Sequence, residues 1–488
     1  MLEPVSPRLR PRVLVVGLDG LVPNLVFDRW RNDLPTFRRL MNDGAWGKLR
    51  SVDPPVTVPA WACMTTGCTP SQLGVYGFRC RPLGSYDQRY FATSDQVRQP
   101  RVWELLAAAG FRSGLLGIPQ TWPPTPVQGW LVTDFLTPST SSPFTHPACL
   151  AAQILAAHPD YRFDVDEYRT ANHERLVHEV REVAELHCKV FRELAATHGG
   201  DFLMMVEMGP DRMHHAFFRH CDPFHPRHDP VHPLVHTVLD HYRLLDRFLD
   251  QLLQDAGDDC TVLVVSDHGA RSLRGGFRIN QWLIDLGYLV LRQPLRRPRA
   301  FDESLVDFSK TRAWAWGGHY ARVFVNLNGR EPQGQVPKED YEAFLARLTQ
   351  ELEAALLPGG APAHHRVLRP QPPPGALSPA GDWPDLLVYP GDLDLRAVGT
   401  VGGAGWFVEG NDTGPDDANH DPDGVFIGWD PSGKLGHGER SGLSILDVTP
   451  TILDLFGVAI PEGLAGRSMC ENEVPAAGVS SCYHAGVR

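Results

Sequence analysis

A mainly parallel α/β sheet flanked by helices, with a smaller insertion, is the fold that this sequence predicts. Three observations lead there. Short runs of Val, Leu, Met and Phe (VLVVGL, FLMMV, TVLVV) alternate with longer stretches of helical periodicity, the signature of strand–helix–strand crossovers. The chain has 488 residues, enough for one large α/β domain plus an insertion, or for two domains. Residues able to do chemistry end or follow the apolar runs, and a parallel sheet gathers its strand C-termini at one edge.

Taken in order, residues 12–18 are the first predicted strand. A helix follows at 34–43, with Leu34, Phe37, Leu40 and Met41 at helical spacing. A second is expected at 59–66, where Pro59 suits the first turn. A helix at 102–109 feeds a strand at 113–118, and a long amphipathic helix at 172–197 leads into a strand at 202–206. The stripe Val235, Val238, Leu239, Tyr242, Leu245, Phe248 and Leu252 marks a helix at 235–254, ahead of a strand at 261–265. Between about 275 and 400 the pattern changes to Pro- and Gly-rich stretches around one strand, 321–327, and one helix, 338–356. The sheet resumes at 424–428 and a last helix covers 445–456. The expected organisation is a core of 12–275 and 400–470, a cap or insertion at 276–399, and a loosely ordered tail at 471–488.

A formal net charge of −12 argues against a nucleic-acid polymer as partner, because polyanions need a basic face. The opening MLEPVSPRLRPRVLVVGLDG lacks the apolar core and cleavage site of a secretory signal, and no segment reaches membrane length without charges or prolines. A cytoplasmic protein with no membrane partner is expected. Nine cysteines without a CxxC pair read as reduced thiols.

Asp19 ends a Val/Leu strand and is followed by Gly20, which places its carboxylate at the sheet edge; capping a helix is the alternative role. Thr57 in PPVTVPAWACMTTG precedes a proline-started helix, so its oxygen sits near free backbone N–H groups. It is a candidate nucleophile if a metal lowers its pKa, and an N-cap otherwise. Asp211 and His215 are four apart and share a helical face, which suits one cation. Asp267 and His268 directly follow the strand TVLVVS, where an unpaired carboxylate would be costly. His420 in NHDPDGVFIG is a further candidate ligand, expected in a loop ahead of a strand. Three carboxylates, three imidazoles and one hydroxyl suit two divalent cations, zinc before manganese or iron.

These residues, with VTVPAW followed by TG and GVYGF, D-x-x-x-H, SDHG, NQWLIDLGYL, VFVNLNGREPQG and H-x-P-D-G-V with DVTPTILDLFG, resemble the type I phosphodiesterase / nucleotide pyrophosphatase family of the alkaline phosphatase superfamily. The resemblance covers most of residues 12–470. It implies an alkaline-phosphatase-like core in which Asp19, Thr57, Asp267 and His268 hold one zinc and Asp211, His215 and His420 the other. It also implies that Thr57 attacks phosphorus and that water hydrolyses the phospho-threonine. The expected substrate is a small phosphoester, a nucleotide among the candidates. Val58, whose N–H is near the phosphoryl group, Trp61, Tyr76, Thr121 and Trp122 are the substrate-side candidates, with packing as the other role for Tyr76, Thr121 and Trp122.

The sequence departs from that family at two points. Relatives usually carry Phe-Pro-Asn after the threonine, whereas Val58-Pro59-Ala60 stands here, and the aromatic and amide contacts to a nucleotide are missing. Leu73 stands where a histidine is frequent. A phosphomonoesterase, or a phosphoryl or phosphoglycerol transferase, would use the same metals. A sulfatase needs C-x-P-x-R ahead of the TG pair, but Cys68-Thr69-Pro70-Ser71-Gln72 follows it. A fold kept only for binding is the last alternative.

Overall fold

The structure, a computed structural model, describes residues 12–371 and 383–471. Most of the tail and much of the proline-rich stretch near 370–384 lie outside the described residues. From the N-terminus come β1 (Val13–Leu18), α1 (Pro35–Asp43), β2 (Ala45–Arg50), α2 (Thr57–Thr66), β3 (Ser113–Leu116), β4 (Gly129–Val132) and β5 (Thr145–His146). Then follow α3 (His173–His198), β6 (Phe202–Glu207), α4 (Gly209–Cys221), α5 (Thr237–Ala256), β7 (Thr261–Val265) and β8 (Gly269–Ser272). The remaining elements used below are β9 (Ala313–Trp316), β10 (Ala321–Val325), β11 (Arg366–Leu368), β12 (Leu386–Tyr389), β13 (Ala418–Asp421), β14 (Asp423–Trp429) and α6 (Val448–Phe456).

A ten-stranded sheet runs in the order β2-β14-β7-β1-β6-β3-β4-β5, with two short strands beside β2. β1 is parallel to both neighbours, β6 (Val13 opposite Phe202, Leu18 opposite Glu207) and β7 (Gly17 opposite Val265). The chain therefore leaves β1 between two later strands, the place where an open α/β sheet opens a crevice at its carboxyl edge. β14 departs from the parallel pattern, pairing antiparallel with both β7 and β2.

The central strands β1, β6 and β7 are buried at every position and almost wholly apolar because the sheet is covered there on both sides. Leu14, Val16 and Leu18 join a core with residues of α1, α3, α4 and α5, whereas Val13 and Val15 join a second core with residues of α2 and α6. Each such side chain, fully buried, contributes about 1.5–3 kcal/mol. Gly17 is required by contact: a Cβ there would come within 2.5 Å of the Trp61 ring.

Residues of β9, β10, β12 and β11, in that sheet order, form a separate four-stranded antiparallel sheet. It has its own apolar cluster around Trp282, Trp314, Phe324, Leu345 and Leu348. A fully buried ion pair, Arg81 Nη1 to Glu331 Oε2 at 2.9 Å, ties this unit to the hairpin that follows α2. No described helix is long and apolar enough to cross a membrane.

Candidate active site

The seven residues singled out by sequence converge at the carboxyl edge of β1, β6 and β7. β1 delivers Asp19, and Gly20 (φ +70°) turns the chain sharply there. The Gly20 N–H donates to Asp267 Oδ1 at 3.2 Å, locking two ligand-bearing turns together. β7 delivers Asp267 and His268. On α4, Asp211 Oδ1 lies 3.3 Å from His215 Nε2, one helical turn on. His214 lies outside this set, with its Nε2 on the Tyr242 hydroxyl at 2.9 Å.

Two expectations about local structure at the site need correction, beside the single strand expected at 321–327, which is one of four in its sheet. The helix after the threonine begins at Thr57 itself, not at Pro59, so Thr57 occupies its first turn. His420 lies on strand β13, paired antiparallel with β8, and not in a loop. The pairing sets Ala270 opposite His420, three residues after Asp267.

Three imidazoles share one arrangement. His268 Nδ1 donates to the Gly269 carbonyl (2.9 Å), His420 Nδ1 to the Pro55 carbonyl (2.8 Å), and His215 Nδ1 meets Asp416 Oδ1 (2.7 Å). A carbonyl can only accept, so the Nδ1 proton is fixed on His268 and His420 and the Nε2 lone pair faces the cluster, as in metal-ligating histidines. His268 Nε2 lies 3.3 Å from Asp267 Oδ2 and 3.6 Å from Asp19 Oδ1, and His420 Nε2 lies 3.5 Å from Asp211 Oδ1. The rings of His268 and His420 stack with centroids 3.7 Å apart. Thr57 Oγ1 is 3.5 Å from both Asp19 Oδ1 and His268 Nε2.

The electrostatics of this cluster ask for cations. Burial, then the neighbouring Asp211 charge, raises the Asp19 carboxyl to about 8. Burial and Asp19 push Asp267 well above the usual carboxylate range. Burial, with His420 beside it, drives His268 well below the usual imidazole value, and His420 is lowered by burial too. Two crowded carboxylates therefore face neutral imidazoles. Asp267 Oδ2 and His420 Nε2 are fully buried and make no hydrogen bond among the described residues, a costly state for polar atoms. Asp211 differs: burial alone would raise it, but His215, His420 and Arg212 hold it well below. The donors fall into groups whose ligand atoms lie within 4.8 Å of one another: Asp19, Asp267 and His268; Asp211, His268 and His420; and His215, His319 and His420. Nitrogen and oxygen donors with orphaned buried atoms fit divalent metal binding.

Several residues of the site escaped the sequence reading. Arg212 Nη1 holds Asp211 Oδ2 at 2.6 Å, leaving Oδ1 to face the cluster. Asp416 braces His215 while pairing with Arg169 and Arg396. His319, partly buried and from the 313–325 hairpin, stacks on His420 at 3.9 Å with its Nδ1 3.0 Å from Asn419 Oδ1. None of the three has a spacing signal: Asp416 and His319 are brought in by tertiary contact, and Arg212, the residue after Asp211, reads in sequence as an ordinary helix charge.

Packing surrounds most of the substrate-side candidates. The Trp61 side chain is fully buried and its Nε1 donates to Asp19 Oδ2 at 2.7 Å, so it orients a site carboxylate instead of offering a free face. The Val58 side chain is buried with Val75, Cys80 and Ala92; its N–H belongs to the first turn of α2, where helix donors have no intrahelical acceptor. Tyr76 is buried against Tyr320 and Tyr389, with its hydroxyl on Ser71 Oγ at 3.0 Å. Thr121 directs both its N–H and its hydroxyl to Asp134. Trp122 is partly exposed and bonded through Nε1 to the Pro143 carbonyl at 3.1 Å. Trp61→Phe is expected to lower metal affinity about tenfold or more, as loss of a bond that orients a ligand does, with the fold retained. A chelator-competition titration beside circular dichroism measures both.

No curated protein sequence matches the chain. The sequence model of the type I phosphodiesterase / nucleotide pyrophosphatase family matches residues 13–423. That span takes in the strand ends, the turn of α2 and the β13 histidine that make the cluster, on a large, mostly parallel sheet of the alkaline-phosphatase-like kind. The chain belongs to the type I phosphodiesterase / nucleotide pyrophosphatase family of metal-dependent hydrolases.

Proposed function

We propose that this hydrolase cleaves phosphodiester or pyrophosphate bonds of a small substrate, with Thr57 as the nucleophile and two divalent cations, zinc by preference. The supporting observation is the set of imidazoles held by Nδ1, whose Nε2 atoms converge with three carboxylates beside Thr57 Oγ1. Asp19, Thr57, Asp267 and His268 would hold one cation, and Asp211, His215 and His420 the other. Bound there, the cations supply Lewis acidity and neutralise the charge of the phosphoryl group.

The chain's own contribution is positional. Thr57 stands at the positive end of α2, with no side-chain cap competing for the first-turn N–H groups. These donors, the Val58 N–H among them, are available to phosphoryl oxygens. Thr57 Oγ forms the new bond to phosphorus as the bond to the leaving oxygen breaks, giving a phospho-threonine. Water then attacks phosphorus and restores the Thr57 hydroxyl. Burial of Asp19, Asp267 and His268 keeps bulk water from the donors.

The test is turnover of bis(p-nitrophenyl) phosphate against p-nitrophenyl phosphate, with metal analysis of the purified protein. Faster diester cleavage is expected, and equal or better monoester turnover would move the assignment to a phosphomonoesterase. His420→Ala is expected to lower occupancy of one metal selectively, from two bound equivalents toward one by elemental analysis. The cytoplasm is the compartment we propose, because the eight cysteines among the described residues are all free thiols.

A further inference from the structure

The turn Gly317-Gly318-His319-Tyr320 joins β9 to β10 and carries the four-stranded sheet up to the ligand cluster. Its shape is fixed on both sides of the histidine. A Cβ on Gly317 would come within 2.4 Å of the Ala397 carbonyl oxygen. Gly318, at φ +150°, exchanges two backbone hydrogen bonds with Ala397, at 2.9 and 3.0 Å, in a conformation that favours glycine. Beyond the histidine, the Tyr320 hydroxyl donates to the Tyr76 carbonyl.

His319 is held between these anchors. Its ring stacks on His420 with centroids 3.9 Å apart, and His420 stacks in turn on His268 at 3.7 Å. The His215 ring is 5.3 Å away. A ring nitrogen on each of His215, His319 and His420 lies within 4.8 Å of the other two.

Asn419 decides which nitrogen His319 can offer. Its side-chain amide donates to the carbonyls of His319, Leu393 and Leu395, at 3.0, 2.9 and 3.3 Å. Its Oδ1 is then the acceptor, taking the His420 N–H and His319 Nδ1, each at 3.0 Å. An Nδ1 engaged in this way carries the proton and leaves the Nε2 lone pair for a cation, as in His268 and His420. Burial, with His420 and Arg396 beside it, drives His319 well below the usual imidazole value, and the neutral ring is the form that binds metal. The neighbouring guanidiniums of Arg396 and Arg169 are both paired with Asp416.

We propose that His319 is a further protein donor to the second cation, beside Asp211, His215 and His420, so that this ion ties the four-stranded sheet to the ten-stranded one. Each cation then has four donors from the chain, and a substrate oxygen enters as a fifth, which zinc accepts during reaction. This rests on the two-cation reading for the existence of the ion and goes beyond it in the ligand and in the tie between sheets.

The experiment loads the metal-free full chain, labelled with nitrogen-15 at histidine, with cadmium-113 and counts the imidazole nitrogens split by the metal. Wild type should show four, those of His215, His268, His319 and His420. His319→Phe keeps a ring to stack on His420 and should lose one of them. It should also weaken one metal equivalent by at least about tenfold in chelator competition, since even the partner of a ligand is worth that much. In His319→Ala, added imidazole should recover part of the lost affinity, which a merely packed ring would not allow. Hydrogen exchange across residues 313–325 should slow on metal uptake in wild type and stay fast in both variants. The wild-type count needs no substitution, so a variant that misfolds does not blunt the test. Three split nitrogens with two equivalents bound would overturn His319 as a ligand and leave the two-cation reading standing. Uptake of fewer than two equivalents by wild type would sink both.

Discussion

Thr57→Ala should reduce phosphodiester turnover by at least about a thousandfold, as removal of a nucleophile does, while leaving divalent-metal uptake nearly intact. The two halves of that expectation have separate origins. Asp19, Asp267 and His268 remain as donors around the first group, with Trp61 still bonded to Asp19. Alanine is a good helix former at the start of α2, and Val56 supplies no side-chain cap that the change could disturb. Thr57→Ser restores a hydroxyl at the same helix end and should recover a measurable part of the rate. Mass spectrometry of quenched wild-type reactions should show a phosphate adduct that is missing from the alanine variant. Near wild-type rates in Thr57→Ala would end the covalent route.

The second large effect is expected at Asp416. Its carboxylate is fully buried and contacts His215 Nδ1 at 2.7 Å, Arg169 Nε at 2.9 Å and the Arg396 guanidinium. Burial alone would raise this carboxyl, but His215, Arg396 and Arg169 outweigh it and hold it far below the usual range. Asp416→Asn keeps the shape and removes the charge. The buried Arg396 and the partly buried Arg169 then lose their counter-charge, at a cost of about 3 kcal/mol, read by denaturant unfolding of the metal-free protein. His215 also exchanges an anionic acceptor at Nδ1 for a neutral amide, so affinity at its group should fall about 10–100-fold. Stability lost with metal affinity unchanged would show that Asp416 only staples the 396–416 segment to the core.

Some of this was legible in the chain and some was not, for physical reasons. The parallel centre of the sheet is visible because strands covered on both sides must be apolar at every position, as VLVVGL is. The antiparallel β14 carries the same apolar run, and direction leaves no trace in such a pattern. Asp19, Asp267 and His268 are recognisable because they terminate buried strands, and Asp211 with His215 because one helical turn separates them. The start of α2 was misjudged since Pro59 marks a first turn without saying which residue opens it. His319 and Asp416 stay hidden because their partners lie a hundred or more residues away, and Arg212 because nothing in sequence separates a cation beside Asp211 from a solvated helix charge. Tyr76 and Trp61 illustrate the converse: an aromatic beside a motif reads equally as a binding face or as core, and burial decides it.

The donors of this site are strung from residue 19 to residue 420, and that has a consequence for biogenesis. On the ribosome, the aspartates and histidines emerge singly, and the last histidine arrives only after the whole intervening unit has been made. Closure over such sequence separation belongs to slow, high-contact-order assembly, so metal ions cannot nucleate folding here. They act as a latch on the finished chain, adding about 4 kcal/mol at a thousandfold excess over the dissociation constant, and a truncation ahead of β13 would leave a polypeptide that never latches.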